Sequence, residues 1–130
     1  MILDTNALSA FAEGNRHVRE SVAAAAGPFL PVIVLGEYRF WLMTYRDRDV
    51  RLAWLEELSR QWTILEISTK TTRDYASIRQ KLRERATPIP ANDTWIAALA
   101  RQHGLPVLSN DTHFDVVPGI QRIPFQPLHD

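Results

Sequence analysis

Four carboxylates in this 130-residue sequence, Asp4, Glu37, Asp93 and Asp111, stand where chain geometry could gather them. Asp4 ends the apolar run Met1-Ile2-Leu3, and Glu37 lies early in a helical stretch that follows Phe29-Leu30. Asp93 follows Asn92 at the head of another helical stretch, and Asp111 comes soon after Val107-Leu108. Each acid has a plain structural explanation. Asp4 or Asn6 is a good helix N-cap. Asp93 and Asp111 complement the positive end of a helix, and Glu37 suits an exposed helix face. Together they acquire a chemistry that none has alone. Carboxylates converging in one crevice repel one another, and uncompensated repulsion raises their pKa values. A protein keeps such a group when a cation neutralises it. Ligands that are all oxygen select hard ions, so the expected ion is Mg2+ or Mn2+ rather than zinc.

The elements that must position these acids follow from periodicity and breakers. Ile2-Leu3 reads as a very short buried strand. Ala7 to Glu13 and Arg16 to Ala26 read as helices, stopped at Gly14-Asn15 and Gly27-Pro28. Phe29-Leu30 is a brief strand, and Pro31 opens the helix that carries Leu35, Tyr38 and Leu42 on one side. Asp47 or Asp49 caps the next helix, lined by Leu52, Leu55 and Leu58. Trp62 to Ile67 is the clearest strand. Ser68 or Thr69 then caps a long helix with Tyr75, Ile78 and Leu82 inward, which ends before Thr87-Pro88-Ile89-Pro90. Asn92 caps a helix that runs to His103 and stops at Gly104, with Ile96, Ala97, Leu99 and Ala100 packed inward. Val107-Leu108 is a strand, a turn or short helix surrounds Phe114, and Ile120 to Phe125 is an edge strand interrupted by Pro124. Strands alternating with helices predict an α/β sandwich with a parallel sheet. In such a sheet ligands bind beyond the carboxyl ends of the strands, which is where the acids fall.

Composition narrows the alternatives. The length suits one domain with a real core, and 45% apolar with 23% charged residues is ordinary for a soluble globular protein. Fifteen basic and fifteen acidic side chains balance, so no general electrostatic grip on nucleic acid is expected, although a local basic patch remains open. With no cysteine, disulfides, zinc-thiolate sites and thiol nucleophiles are excluded. The run Val22 to Gly36 is broken by Gly27, Pro28 and Pro31, so no membrane span is expected. The start lacks a basic segment, so no secretory signal is expected either. A cytoplasmic, reducing location fits both features.

Three motifs in order carry a family resemblance. Ile2-Leu3-Asp4-Thr5-Asn6 resembles the opening signature of PIN-domain proteins. Pro90-Ala91-Asn92-Asp93-Thr94-Trp95-Ile96-Ala97-Ala98-Leu99-Ala100 resembles their central acid motif, and Leu108-Ser109-Asn110-Asp111-Thr112-His113-Phe114 resembles the last. Glu37 falls where the family places its helical acid. The compact size is most similar to the VapC-type toxins of toxin–antitoxin pairs. The resemblance implies one PIN-like domain over residues 1–130, a short central parallel sheet flanked by helices, and a metal-dependent endoribonuclease. It implies that Asp4, Glu37, Asp93 and Asp111 hold one or two Mg2+ or Mn2+ ions, with Thr5, Asn6 and Ser109 orienting the carboxylates. It further implies a homodimer, and an antitoxin that blocks the acidic crevice. Ser109 stands where Thr is commoner in the family, and Asp115 is an additional candidate ligand.

Other residues are assigned more plainly. His17, His103, His113 and His129 lack metal-ligand spacing and read as surface or structural, with His113 nearest the site. Arg79, Lys81, Arg83 and Arg85 form a basic helix end, and Arg39 and Arg46 flank Glu37's helix. They could engage RNA phosphates, but a solvated, salt-bridged face explains them as well. Trp41, Trp54 and Trp62 read as core or interface, whereas Trp95, beside Asp93, is open. Two rival functions stand against the nuclease. One is a non-catalytic PIN-like module that binds RNA or protein. The other is an aspartate-based phosphotransfer enzyme, weakened because Asn6 occupies the position where a second aspartate is wanted.

Overall fold

The computed structural model describes residues 1–127, so His129 lies outside the described residues. The chain runs β1 (Ile2–Leu3), α1 (Thr5–Ala12), α2 (Arg16–Ala24), β2 (Phe29–Pro31), α3 (Val32–Leu42), α4 (Arg48–Gln61), β3 (Thr63–Leu65), α5 (Thr69–Glu84), α6 (Ala91–His103), β4 (Val107–Leu108), a short 3-10 helix (Thr112–Val116) and β5 (Arg122–Ile123). The strands form one sheet in the order β3-β2-β1-β4-β5, and every neighbouring pair is parallel. The α/β sandwich expected from the alternation of elements is what forms. Ile2 pairs with Phe29 on one side and Val107 on the other, and Leu3 pairs with Leu108. β1 and β4 therefore end level, and the residues that follow them, Asp4 and Ser109, come out side by side. The chain winds from β1 outward through β2 to β3, then returns to β4 on the opposite flank. That reversal opens the crevice at the carboxyl ends of β1 and β4.

The strands are short because their ends are claimed by other partners. Only Thr63–Leu65 of the expected Trp62–Ile67 strand pairs. Trp62 instead closes α4, and its ring meets Phe11 edge-on at 4.9 Å. At the other edge Pro124 has no N–H to give, and the Phe125 N–H goes to Asn110 Oδ1 at 2.9 Å. Two helix starts also differ from the sequence expectation. α1 begins at Thr5, because Asp4 caps it through the Thr5 N–H at 2.8 Å. α6 begins at Ala91, with Pro90 rather than Asn92 at the cap position. The Pro90 carbonyl takes both Thr94 N–H at 3.0 Å and Thr94 Oγ1 at 3.1 Å, which leaves the Asn92 side chain free for the crevice.

Sheet and helices meet in one apolar cluster. Ile2, Leu3, Leu30, Val107 and Leu108 from the strands pack with Leu8, Leu55, Ile78, Leu82, Ile96 and Leu99 from the helices, all buried. α5 is tied to α6 by Thr71 Oγ1, which donates to Gln102 Oε1 at 2.6 Å. It ends in a left-handed turn at Ala86 (φ 55°), where Thr87 N–H returns to the Leu82 carbonyl at 2.9 Å. Among the described residues no helix is long and apolar enough to cross a membrane.

Candidate metal centre

The short strands deliver their acids to one crevice of about 900 Å³, lined by Asp4, Asp93, Asp111 and Glu37 together with Asn92 and Asn6. Asp4 arrives on β1, Glu37 on the second turn of α3, Asp93 in the first turn of α6, and Asp111 just beyond β4. Four elements thus supply one acid each.

Asp4 is the deepest, 4% exposed, and its oxygens are held from several sides. Oδ1 accepts the Thr5 N–H, while Oδ2 accepts Ser109 Oγ at 2.7 Å and Asn6 Nδ2 at 3.2 Å. Ser109 is fully buried, and its hydroxyl oxygen in turn accepts Asp111 N–H at 2.9 Å and Asn6 Nδ2 at 3.1 Å. One hydroxyl thereby fixes the β1 and β4 ends of the site to each other. Asn6 adds a second tie, its Oδ1 accepting Asn110 N–H at 3.1 Å. Glu37 is held by Thr5 Oγ1, which donates to Oε1 at 3.0 Å, and by Asn92 Nδ2, which donates to Oε2 at 3.3 Å. Thr5, Asn6 and Ser109 are therefore in contact with the carboxylates. Asn92 was expected only as a cap, and its place beside Asp93 in the central motif was the sequence signal for a site role.

The charge balance of the crevice is unusual. Burial pushes the Asp4 carboxyl up to about 6, even though the Ser109 and Thr5 hydrogen bonds favour its charged form, and the Asp93 and Asp111 charges push the same way. Burial also raises Asp93, against a hydrogen bond from His113 that lowers it. Among the described lining residues there is no Lys or Arg. Outside this lining Arg122 reaches the Ser109 carbonyl at 3.2 Å, and the basic side chain in direct contact with the acids is His113. Its Nδ1 lies 2.8 Å from Asp93 Oδ2 and 3.0 Å from Asp111 Oδ1, and the Asp93 bond raises its pKa. His113 is thus in the site rather than merely near it.

Other candidates lie elsewhere. Asp115 is gripped by Arg122, with Nε to Oδ1 at 2.7 Å and Nη2 to Oδ2 at 3.0 Å, and that pairing lowers its pKa. Arg39 is paired with Glu56. Arg79 and Arg83 line a second groove of about 620 Å³, with Leu82, Pro88 and Ile89, on the far side of the first turn of α6. Tyr75 and Trp95 stack at 3.9 Å, so Trp95 has its ring partner inside the chain. Trp41, expected in a core or interface, is 49% exposed and lies with Phe40 along the acidic crevice. Among the remaining described histidines, His17 Nδ1 accepts the Gln126 N–H at 2.9 Å.

The donor set fits a hard divalent ion. Among the described residues Asp93 and Asp111 bring ligand atoms within 4.8 Å of one another, together with His113, while Asp4, buried and reluctant to ionise without compensation, and Glu37 line the same crevice with neutral amide and hydroxyl groups fixing their orientation. Comparison with known proteins supplies the family. The PIN domain family model matches residues 1–120. Ribonuclease VapC5 of Mycobacterium tuberculosis is 33% identical over 91 residues, covering 68% of this chain and 67% of that protein. The crystal structure of VapBC-5 from Mycobacterium tuberculosis, a member of the VapBC family of toxin–antitoxin systems, matches with a TM-score of 0.72 at 28% identity, over 97% of both chains. The structure of VapBC2 from Rickettsia felis, bound to a DNA fragment from its promoter, shares the fold with a TM-score of 0.86 at 20% identity, over 96% of this chain and 98% of that one.

Proposed function

Because this chain belongs to the PIN-domain family, we propose that it is a metal-dependent endoribonuclease, the toxin of a toxin–antitoxin pair. The observation that carries this reading is the convergence of Asp4, Glu37, Asp93 and Asp111 in one crevice whose described lining holds no Lys or Arg. The likeness to a ribonuclease and to a toxin–antitoxin complex supports RNA as substrate and a cognate antitoxin as partner. A homodimer and a cytoplasmic location belong to the same reading.

Asp4, Glu37, Asp93 and Asp111 would hold Mg2+ or Mn2+, directly or through water. When bound, such an ion lowers the pKa of a coordinated water and stabilises negative charge on a phosphate whose P–O bond is breaking. The chain's own part is preorganisation. Ser109 and Asn6 hold Asp4 so that its oxygens need not reorient, and Thr5 and Asn92 do the same for Glu37. Ser109 couples Asp4 to the Asp111 backbone, so displacement of one acid is felt by the other. Phe40 and Trp41 give the crevice an apolar wall against which a nucleobase can lie.

The test is cleavage of total RNA by purified protein with Mg2+ or Mn2+, with EDTA, and with an Asp4→Asn variant. Discrete fragments that vanish with both EDTA and the variant are expected. Fragments that persist in the variant would remove Asp4 from the reaction.

A further inference from the structure

Among the described residues the site brings one possible metal ligand that is not an oxygen, the His113 imidazole. His113 Nδ1 is 2.8 Å from Asp93 Oδ2 and 3.0 Å from Asp111 Oδ1. Asp93, Asp111 and His113 can each turn a ligand atom to a common point, those atoms lying within 4.8 Å of one another. Donors bound at about 2.1 Å in octahedral geometry lie about 3 Å apart along each edge, which is the spacing His113 keeps from both acids. The residue is also firmly mounted. Its backbone N–H donates to Asp111 Oδ1 at 2.9 Å, and its neighbour Phe114 is 1% exposed in the core. The ring is therefore carried on a fixed backbone over the acids.

We infer that His113 is a ligand of the divalent ion in this centre, and that its nitrogen makes the centre prefer Mn2+ over Mg2+. The inference rests on the metal-dependent reading given above. Mg2+ keeps its waters and favours oxygen, whereas a transition ion accepts imidazole alongside carboxylate. A different role has the opposite sign. If His113 is only a counter-cation that neutralises Asp93 and Asp111 until metal arrives, removing it frees the acids and tightens metal binding.

The experiment titrates metal-free protein with Mn2+ and with Mg2+ by calorimetry, for wild type, His113→Ala and His113→Gln. Pulsed EPR of the Mn2+-loaded proteins reads nitrogen-14 coupling directly and needs no variant to be informative. An imidazole coupling in wild type, absent from both variants, is expected. Mn2+ affinity should fall about tenfold or more, at least the loss that follows removal of a mere orienting partner, while Mg2+ affinity changes less than about threefold. The helix cap at Asp111 uses a backbone N–H, so both substitutions retain it. Mn2+ binding without nitrogen coupling in wild type, or tighter Mn2+ binding by His113→Ala, overturns the inference and leaves the metal centre intact. Failure of wild type to bind either ion removes the centre and the inference together.

Discussion

Replacing the buried aspartate by its neutral isostere should stabilise the metal-free protein, and the gain should depend on pH in an unusual direction. Burial raises the Asp4 carboxyl from 3.8 to about 6. Below pH 3.8 the group is protonated in both folded and unfolded chains and costs nothing. As pH rises toward 6 the unfolded chain releases its proton and the folded chain does not, so stability is progressively lost. Above the folded value the loss levels at about 3 kcal/mol. Because Asp4 is 4% exposed, little solvent screening reduces that figure. Asp4→Asn removes the whole term. It also loses one of two oxygen acceptors, which costs about 1 kcal/mol. The variant should therefore match wild type near pH 4.5 and exceed it by about 2 kcal/mol near pH 7.5, in chelator. Urea denaturation across that range is the assay. Mn2+ at about a hundred times its dissociation constant should add about 2.7 kcal/mol to wild type alone and reverse the order. A stability difference that is the same at both pH values would refute the claim that burying this charge is what costs stability.

Three further outcomes follow from the same contacts. Ser109→Ala strips Asp4 Oδ2 of a donor and the Asp111 N–H of an acceptor; it should cost about 1–3 kcal/mol, more at pH 8 than at pH 5 by chemical denaturation, because the lost bond favours the charged carboxylate. Asp93→Asn should leave metal-free stability unchanged or raised, abolish stabilisation by Mn2+, and lower the His113 pKa in an NMR titration, since the Asp93 bond is the main cause of its elevation. Ala86→Gly should stabilise the chain by about 0.5–1 kcal/mol in thermal melts, because Ala86 holds a left-handed φ of 55° that costs an L side chain and not glycine.

Much of the fold was legible because it rests on local signals. The apolar runs Ile2-Leu3 and Val107-Leu108, the Gly104 stop and the i, i+3, i+7 spacing along Val32–Leu42 each act within a few residues of chain. Where two signals competed, sequence could not choose. Trp62 has strand propensity but pairs with Phe11, and Asn92 has capping propensity but bonds Glu37, 55 residues away.

The inventory is written in the amino-acid sequence: four acids, each just after a strand or within the first two turns of a helix, with no cysteine to compete for metal. The sequence also determined the parallel alternation of elements that sends those positions to one edge. Which of these groups meet is a matter of packing. That Ser109 bridges Asp4 and Asp111, that Asp115 belongs to Arg122, and that His113 sits between Asp93 and Asp111 all depend on register between elements far apart in the chain. Propensity and spacing act along the chain, whereas the energy of a buried carboxylate is set by how deeply the fold buries it and by the partners the fold brings to within about 3 Å of it.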